Sequence, residues 1–248
     1  MARDDFLELF DLFVNWPARI AKEGPFVEKI LRESGARTVL DAGCGPGHHS
    51  VYLARKGFEV FAEDNASCMI EETGRQAMKA GVAVKVLTCS FEDIRTQISG
   101  QMDAVLVLGN SLCMVEDRPA ASRALESFAA ALKQGGLLLV HCLNYDGLRR
   151  MGKRVSRPNQ VDGVALVLKF FDLEPGATRV NIVRMSPEKP GLWKSEHSFA
   201  DLLDLSKQDV IDLAAAAGFS GFKHFGSAGG EEFNPEKSYD LFLLCFKR

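Results

Sequence analysis

The chain has no apolar run near the roughly 18 residues that a membrane helix needs. Its first residues, Met-Ala-Arg-Asp-Asp, lack the basic-then-apolar order of a secretion signal. It has no CxxC pair. Its six cysteines, at 44, 68, 89, 113, 142 and 245, are scattered, and several stand in apolar runs. This argues against a disulfide framework or structural zinc, and for small buried hydrophobes in a reducing cytoplasm. The five histidines show no ligand spacing, so no metal is expected. There is no excess of positive charge: 30 Lys and Arg stand against 33 Asp and Glu, a net charge of -3. Only the stretch from Arg149 to Arg157 concentrates bases, and it reads as a solvated loop. Neither nucleic acid nor a membrane is an expected partner. Repeats, linkers and low-complexity segments are lacking too.

What is present fits one domain of 248 residues with 46% hydrophobic residues, carrying a substantial insertion. Helical periodicity marks residues 5–14 and 17–34, where Pro17 suits a first turn and Gly35 a stop. Strand and helix then alternate: strand 37–42, helix 47–56, strand 58–63, helix 66–79, strand 82–88, strand 102–108, helix 119–133, strand 137–143. Gly57, Gly81 and the pair Gly135-Gly136 close the helices. Such alternation predicts an α/β fold, a doubly wound parallel sheet with helices on both faces. Past about residue 147 the pattern changes. Runs 164–171 and 179–185 flank Glu174-Pro175-Gly176-Ala177 and predict a hairpin, with Pro187, Pro190 and Gly191 breaking the chain after it. A helix at 206–217 and strands at about 219–226 and 238–247 close the domain. The expected organisation is a single domain over 1–248. N-terminal helices occupy 1–35, and a hairpin insertion over 148–205 caps the carboxyl edge of the sheet.

The stretch Val39-Leu40-Asp41-Ala42-Gly43-Cys44-Gly45-Pro46-Gly47 ends a strand in a glycine-dense turn, and Glu63-Asp64 ends the next strand in acids. Ligands of such sheets bind beyond the strands' carboxyl ends. Gly43 and Gly45 let the backbone approach a ligand, and Asp64 can accept both hydroxyls of a ribose. A dinucleotide site would read GxGxxG, but His48 stands at the third position. The GxGxG spacing suits a nucleoside whose aminoacyl arm carries no phosphate.

With these residues the chain resembles the class I S-adenosylmethionine-dependent methyltransferases, of Rossmann-like fold. Within them it resembles the glycine/sarcosine N-methyltransferase-like group. The resemblance rests on Asn15-Trp16-Pro17-Ala18-Arg19, Leu40 to Gly47, Leu108-Gly109-Asn110-Ser111 and Asn144-Tyr145-Asp146. It implies seven strands, mostly parallel with the last antiparallel, and a small antiparallel hairpin insertion. It implies S-adenosyl-L-methionine as cofactor, leaving as S-adenosyl-L-homocysteine, and a small-molecule acceptor methylated at nitrogen. Arg19 would take the cofactor carboxylate with Trp16 beside it. Asp41, Gly43, Cys44 and Gly45 would hold the aminoacyl end, and Asp64 the ribose. Asn65, Met69, Ser90 and Phe91 would border the adenine, and the Leu108 carbonyl would meet the amino group. Asn110 and Tyr145 are the expected catalytic pair. Asn110, Asn144, Tyr145, Arg184 and His197 are the expected acceptor contacts, with His197 a candidate base. His48 and His49 read as packing and capping residues at a helix start.

Three departures stand out. Ser90 replaces a frequent acid, Phe10 a tyrosine, and Leu143 the arginine that holds a substrate carboxylate in glycine N-methyltransferases. An aliphatic chain cannot bind a carboxylate, so glycine is disfavoured as acceptor unless Arg154, Arg157 or Arg184 supplies the cation. An O-methyltransferase and a non-catalytic cofactor-binding protein remain the alternatives. A homo-oligomer would use the hairpin and the N-terminal helix as contact surfaces.

Overall fold

The computed structural model describes residues 14–98, 102–152, 154–155, 159–161, 165–174 and 177–248. The helix expected over 5–14 lies outside them except for Val14, as do Phe10, Lys153, Arg157, Pro175 and Gly176.

Helix α1 (Trp16–Glu33) opens on Asn15, whose side chain accepts from the Ala18 N–H at 3.1 Å. Next come β1 (Thr38–Ala42), α2 (His48–Arg55), β2 (Glu59–Asp64), α3 (Ser67–Ala80) and β3 (Val84–Thr88). A single 3₁₀ turn leads into α4 (Ile94–Gln97), then β4 (Met102–Val107), α5 (Arg118–Ala131), β5 (Leu132–Leu143) and α6 (Tyr145–Arg150). The insertion supplies β6 (Asn159–Val161), β7 (Ala165–Glu174), β8 (Ala177–Lys189) and β9 (Leu192–Leu202). The chain ends with α7 (Lys207–Ala216), β10 (Phe219–Phe225) and β11 (Asp240–Lys247). Ser206 and Asp209 cap α7 reciprocally. Among the described residues no helix is long and apolar enough to cross a membrane.

The main sheet has seven strands in the order β10-β11-β5-β4-β1-β2-β3. The central pairings are parallel, and only β11 runs against its neighbours β5 and β10. This is the expected fold class. Alternation along the strands feeds two cores. Val105, Val107, Leu138, Val140 and Cys142 pack with Leu125 and Phe128 of α5 on one face. Ala104, Leu106, Leu137 and Leu139 pack with Val27 and Leu31 of α1 and Leu53 of α2 on the other. The order reverses between β1 and β4, which sets the ligand crevice there.

The insertion is larger than the expected hairpin: β6-β7-β8-β9 form a separate antiparallel sheet. Pro187 does not end β8 but pairs with Trp193, beside a register irregularity that absorbs its missing N–H. The turn falls at Pro190-Gly191. The insertion is tied at its base. Arg149 of α6 donates to the Glu174 carbonyl, Thr178 and Asp204, and Leu203 N donates to the Cys113 carbonyl at 2.7 Å. Phe171, Leu173 and Leu202 enter the main core. The strand expected from 137 begins at Leu132, where β4 and β5 shift register around Gly135 and Gly136.

Gly47 sits at φ 82°, and a Cβ there would stand 2.5 Å from Thr73 Oγ1. Gly47→Ala is expected to destabilise the protein by about 2 kcal/mol or more, from left-handed backbone plus overlap. Urea unfolding reads this out, and a change within error would show that the turn relaxes freely.

Candidate active site

β1, β2, β3, β4 and β5 all end at one edge of the sheet. Their exits carry every segment singled out in the sequence after α1. The turn after β1 puts Gly43, Gly45 and Gly47 at positive φ, and its N–H groups are all answered. Gly43 N donates to Glu63 Oε2 at 3.3 Å and Cys44 N to the Glu63 carbonyl at 2.8 Å. Gly45 N donates to Asp64 Oδ2 at 3.0 Å and Gly47 N to the Cys44 carbonyl at 3.2 Å. Beneath the turn Asp41 is buried and accepts from Ser50 Oγ of α2 at 2.5 Å. Cys44 packs its thiol against Thr73.

Helix α1 brings a second set of charges. Both Glu23 oxygens accept from Arg19 Nε, at 2.9 and 3.0 Å, and Glu23 Oε2 also bonds His49 Nε2 at 2.9 Å. The Arg19 Nη atoms then turn to the exit of β4: a Cβ on Gly109 would stand 3.1 Å from Nη2. Trp16 stacks on His48 with centroids 4.3 Å apart, and Arg19 lies over the Trp16 ring. Gly109 N donates to His141 Nδ1 at 3.2 Å, so the His141 proton sits on Nε2, facing Asp240 Oδ1 at 3.2 Å.

Beyond β4, Asn110 takes a left-handed backbone (φ 75°) that an Asn tolerates. Its amide faces the Tyr145 hydroxyl, Nδ2 at 2.7 Å and Oδ1 at 3.0 Å, and Oδ1 also accepts from Leu143 N. Tyr145 is 1% exposed, and burial pushes its phenol well above the usual range.

Residues 39–136 match a family model described as a methyltransferase domain. The glycine/sarcosine N-methyltransferase of Parasynechococcus marenigrum is 30% identical over 240 residues, 94% of this chain and 80% of that protein. The chain belongs to the S-adenosylmethionine-dependent methyltransferases. The glycine/sarcosine N-methyltransferase of Aphanothece halophytica is 33% identical over 143 residues, and the match spans about half of that protein, 54%. An S-adenosylmethionine-dependent methyltransferase from Clostridium acetobutylicum shares the fold, with a TM-score of 0.81 and 14% identity over 98% of both chains.

The edge suits that cofactor. The methyltransferase directs a guanidinium into the space a side chain at Gly109 would fill, which matches a carboxylate. Asp64 spends one lone pair of each oxygen, on Gly45 N and Ala66 N, and keeps a second on each for ribose hydroxyls. Asn65 is exposed, Met69 is buried, and Phe91 rests edge-on against Phe128. Ser90 is exposed and donates to Asp93 at 2.7 Å, which ties it to its own turn. The Leu108 carbonyl accepts from Ser111 Oγ at 2.8 Å.

Two expected acceptor contacts are placed differently from the rest. Asn144 caps α6 by accepting from Gly147 N and gives both amide hydrogens to the carbonyls of Pro235 and Ser238. That leaves no donor for a ligand. His197 projects from the opposite face of β9 to the one that shares a row with Arg184. It bonds Asn181 at 2.9 Å and stacks on Phe170. Arg184 shares the inner face of the cap with Val167 and Glu196. Arg154 lies near the exposed Glu174. His48 packs on Trp16 as read, whereas His49 pairs with Glu23 and no side chain caps α2. Sequence reasoning missed Glu23, His141 and Asp240, whose partners lie far along the chain or on another element. Among the described residues no cluster could hold a metal ion.

Burial pushes the Glu63 carboxyl up to about 8, with Asp64 and Asp41 adding to the effect and the Gly43 N–H opposing it. Its second oxygen is buried with no hydrogen-bond partner. A carboxyl raised on folding stabilises fully below its unfolded value of 4.5, and that stability is lost as pH rises through about 8. The cofactor-free methyltransferase should lose stability over this window. Glu63→Gln should flatten part of the loss, leaving the parts due to Asp41 and Asp64, whose carboxyls burial also raises. Denaturant titrations at roughly pH 6 and 9 test this; parallel losses in both proteins would refute it. Asp64→Ala should weaken S-adenosylhomocysteine binding by about tenfold or more while the fold persists. Calorimetry decides, and unchanged affinity would reduce Asp64 to a cap of the turn.

Proposed function

We propose that this methyltransferase methylates a small molecule at nitrogen, with residues 148–205 acting as the acceptor's cap. The observation that carries the reading is the Asn110–Tyr145 pair, set at the exits of β4 and β5 beside Gly109 and Arg19. It is supported by a relative, named for N-methylation of glycine and sarcosine, that aligns with nearly the whole chain. When bound, S-adenosylmethionine supplies a methyl group on a sulfonium, a good leaving group.

The chain's own part is alignment and exclusion of water. Arg19 would hold the carboxylate arm, with its Nε fixed by Glu23. Asp64 would hold the ribose. Asn110 and Tyr145 would orient the incoming amine: Asn110 Oδ1 already accepts from Leu143 N and the Tyr145 hydroxyl, so the phenol oxygen is the acceptor left for an N–H group. Tyr145 keeps its proton throughout the working pH range, because burial holds its phenol up. It therefore serves as a hydrogen-bonding group and not as a base. An amine needs only to lose its ammonium proton before attack, whereas a hydroxyl acceptor would need a base beside it. The composition keeps the expected setting cytoplasmic and free of nucleic acid.

A panel of small amines, phenols and thiols, with labelled S-adenosylmethionine and product mass analysis, tests the reading. N-methyl product is expected, and Tyr145→Phe should lower kcat by about tenfold or more for lack of one oriented hydrogen bond. Turnover of phenols alone would replace this reading with an O-methyltransferase.

A further inference from the structure

We propose that β9 is the contact surface for a second copy of this chain, pairing edge to edge with the same strand of that copy around a two-fold axis at Ser195. The inference goes beyond the methylation reading and does not depend on the acceptor.

The order β6-β7-β8-β9 puts only β8 beside β9, which is therefore an edge strand. It has 11 residues, about twice the ordinary strand length, and no proline. An edge of this length offers a row of backbone donors and acceptors to another strand. β7 reaches only to the pairing of Leu166 with Met185. Beyond it β8 and β9 run on as a two-stranded arm, exposed from Pro187 to His197. Such a ribbon gains stability from a further strand. Trp193 is 54% exposed and Phe199 58%, the latter with Arg179 over its ring. Aromatic side chains of this kind are enriched where proteins meet.

The charges choose the occupant. Side chains alternate along β9, so Lys194 and Glu196 share one face, and Trp193, His197 and Phe199 share the other. Lys194 Nζ donates to Glu196 Oε1 at 2.7 Å, so the pair leaves no net charge to hold two copies apart. A two-fold axis normal to the sheet keeps like faces together. Placed at Ser195, it sets Lys194 against the partner's Glu196, and Glu196 against the partner's Lys194. On the other face it sets Trp193 against the partner's His197. The partner's Phe199 then lies on the diagonal, within reach of an aromatic ring. Moving the axis by one residue sets Lys194 against the partner's Lys194, or Glu196 against the partner's Glu196. The edge is thus complementary to itself in one register and repelled in both neighbouring ones. The strand's own sequence supplies the complement, which makes the partner a second copy and not a foreign strand.

Sedimentation velocity on a dilution series of the full chain tests this. Wild type should form a dimer in the micromolar range. Lys194→Glu and Glu196→Lys should each raise its dissociation constant by about tenfold or more, because each sets like charges opposite one another twice. The deciding sample is an equimolar mixture of the two variants, one of them carrying a fluorophore. Within each strand the charges at 194 and 196 stay alike, but between the strands every pair is opposite. A heterodimer should therefore form where neither variant pairs with itself. Unchanged S-adenosylhomocysteine affinity in both variants certifies the fold. A wild type that stays monomeric up to its solubility limit, a dimer indifferent to either reversal, or a mixture that associates no better than its parts would each overturn the proposal.

Discussion

Everything at this sheet edge depends on how the turn after β1 satisfies its own backbone. Three glycines at positive φ aim successive N–H groups in directions that no regular structure can answer. Carboxylates at the end of β2 answer two of them, from Glu63 and Asp64. The cost is three acids, Asp41, Glu63 and Asp64, gathered around one turn, with burial raising the carboxyl of each. A cationic group brought against the turn would favour the ionised forms of these acids. The turn therefore fixes the backbone path and the placing of these acids together. It also sets α2 in place, since Ser50 of that helix binds Asp41.

Glu23 shows the opposite balance with the same side chain. Burial would raise it too, but a hydrogen bond from His49 and the charge of Arg19 outweigh that and hold it at about 2. The difference between Glu23 and Glu63 lies in partners and not in depth. Glu23 has a guanidinium and an imidazole; Glu63 has one N–H and two like charges. The ionised Glu23 is consequently a fixed anchor. It holds Arg19 by Nε, so the remaining donors point at Gly109 without a rotamer search.

The parts legible in the sequence were those that local chain geometry dictates. The glycine turn, the acid at the end of β2 and the loops after β4 and β5 each lie within a few residues of a strand end. A parallel alternating fold must bring all strand ends to one edge. The stops at Gly57 and Gly81 were legible for the same reason. What was not legible came from long-range register. His141 meets Asp240 only because β11 returns antiparallel beside β5, pairing Asp240 with Leu143 and Phe242 with His141. Nothing in either run announces the other. Asn144 reads as a site residue because it stands in a signature. Only the distant loop at Pro235 and Ser238 reveals that its amide is spent on structure.

The cap was misjudged through one residue. Pro187 looked like a strand breaker, yet a proline beside an irregular pairing costs the sheet little, and β8 runs on to turn at Gly191. A single two-stranded hairpin is marginally stable by itself. With β9 and β6 added, and with Arg149 tying its base to Thr178 and Asp204, the sheet becomes a rigid lever. Its period of two then decides which side chains share a face. Lys169 and Arg184 turn inward with Phe171 and Val180, while His197 turns outward with Phe199 and Asp201. A shift of one residue in that register would exchange the two sets. Strand register thus sorts the insertion's side chains between its two faces, as the turn after β1 sorts the donors and acids of the sheet edge.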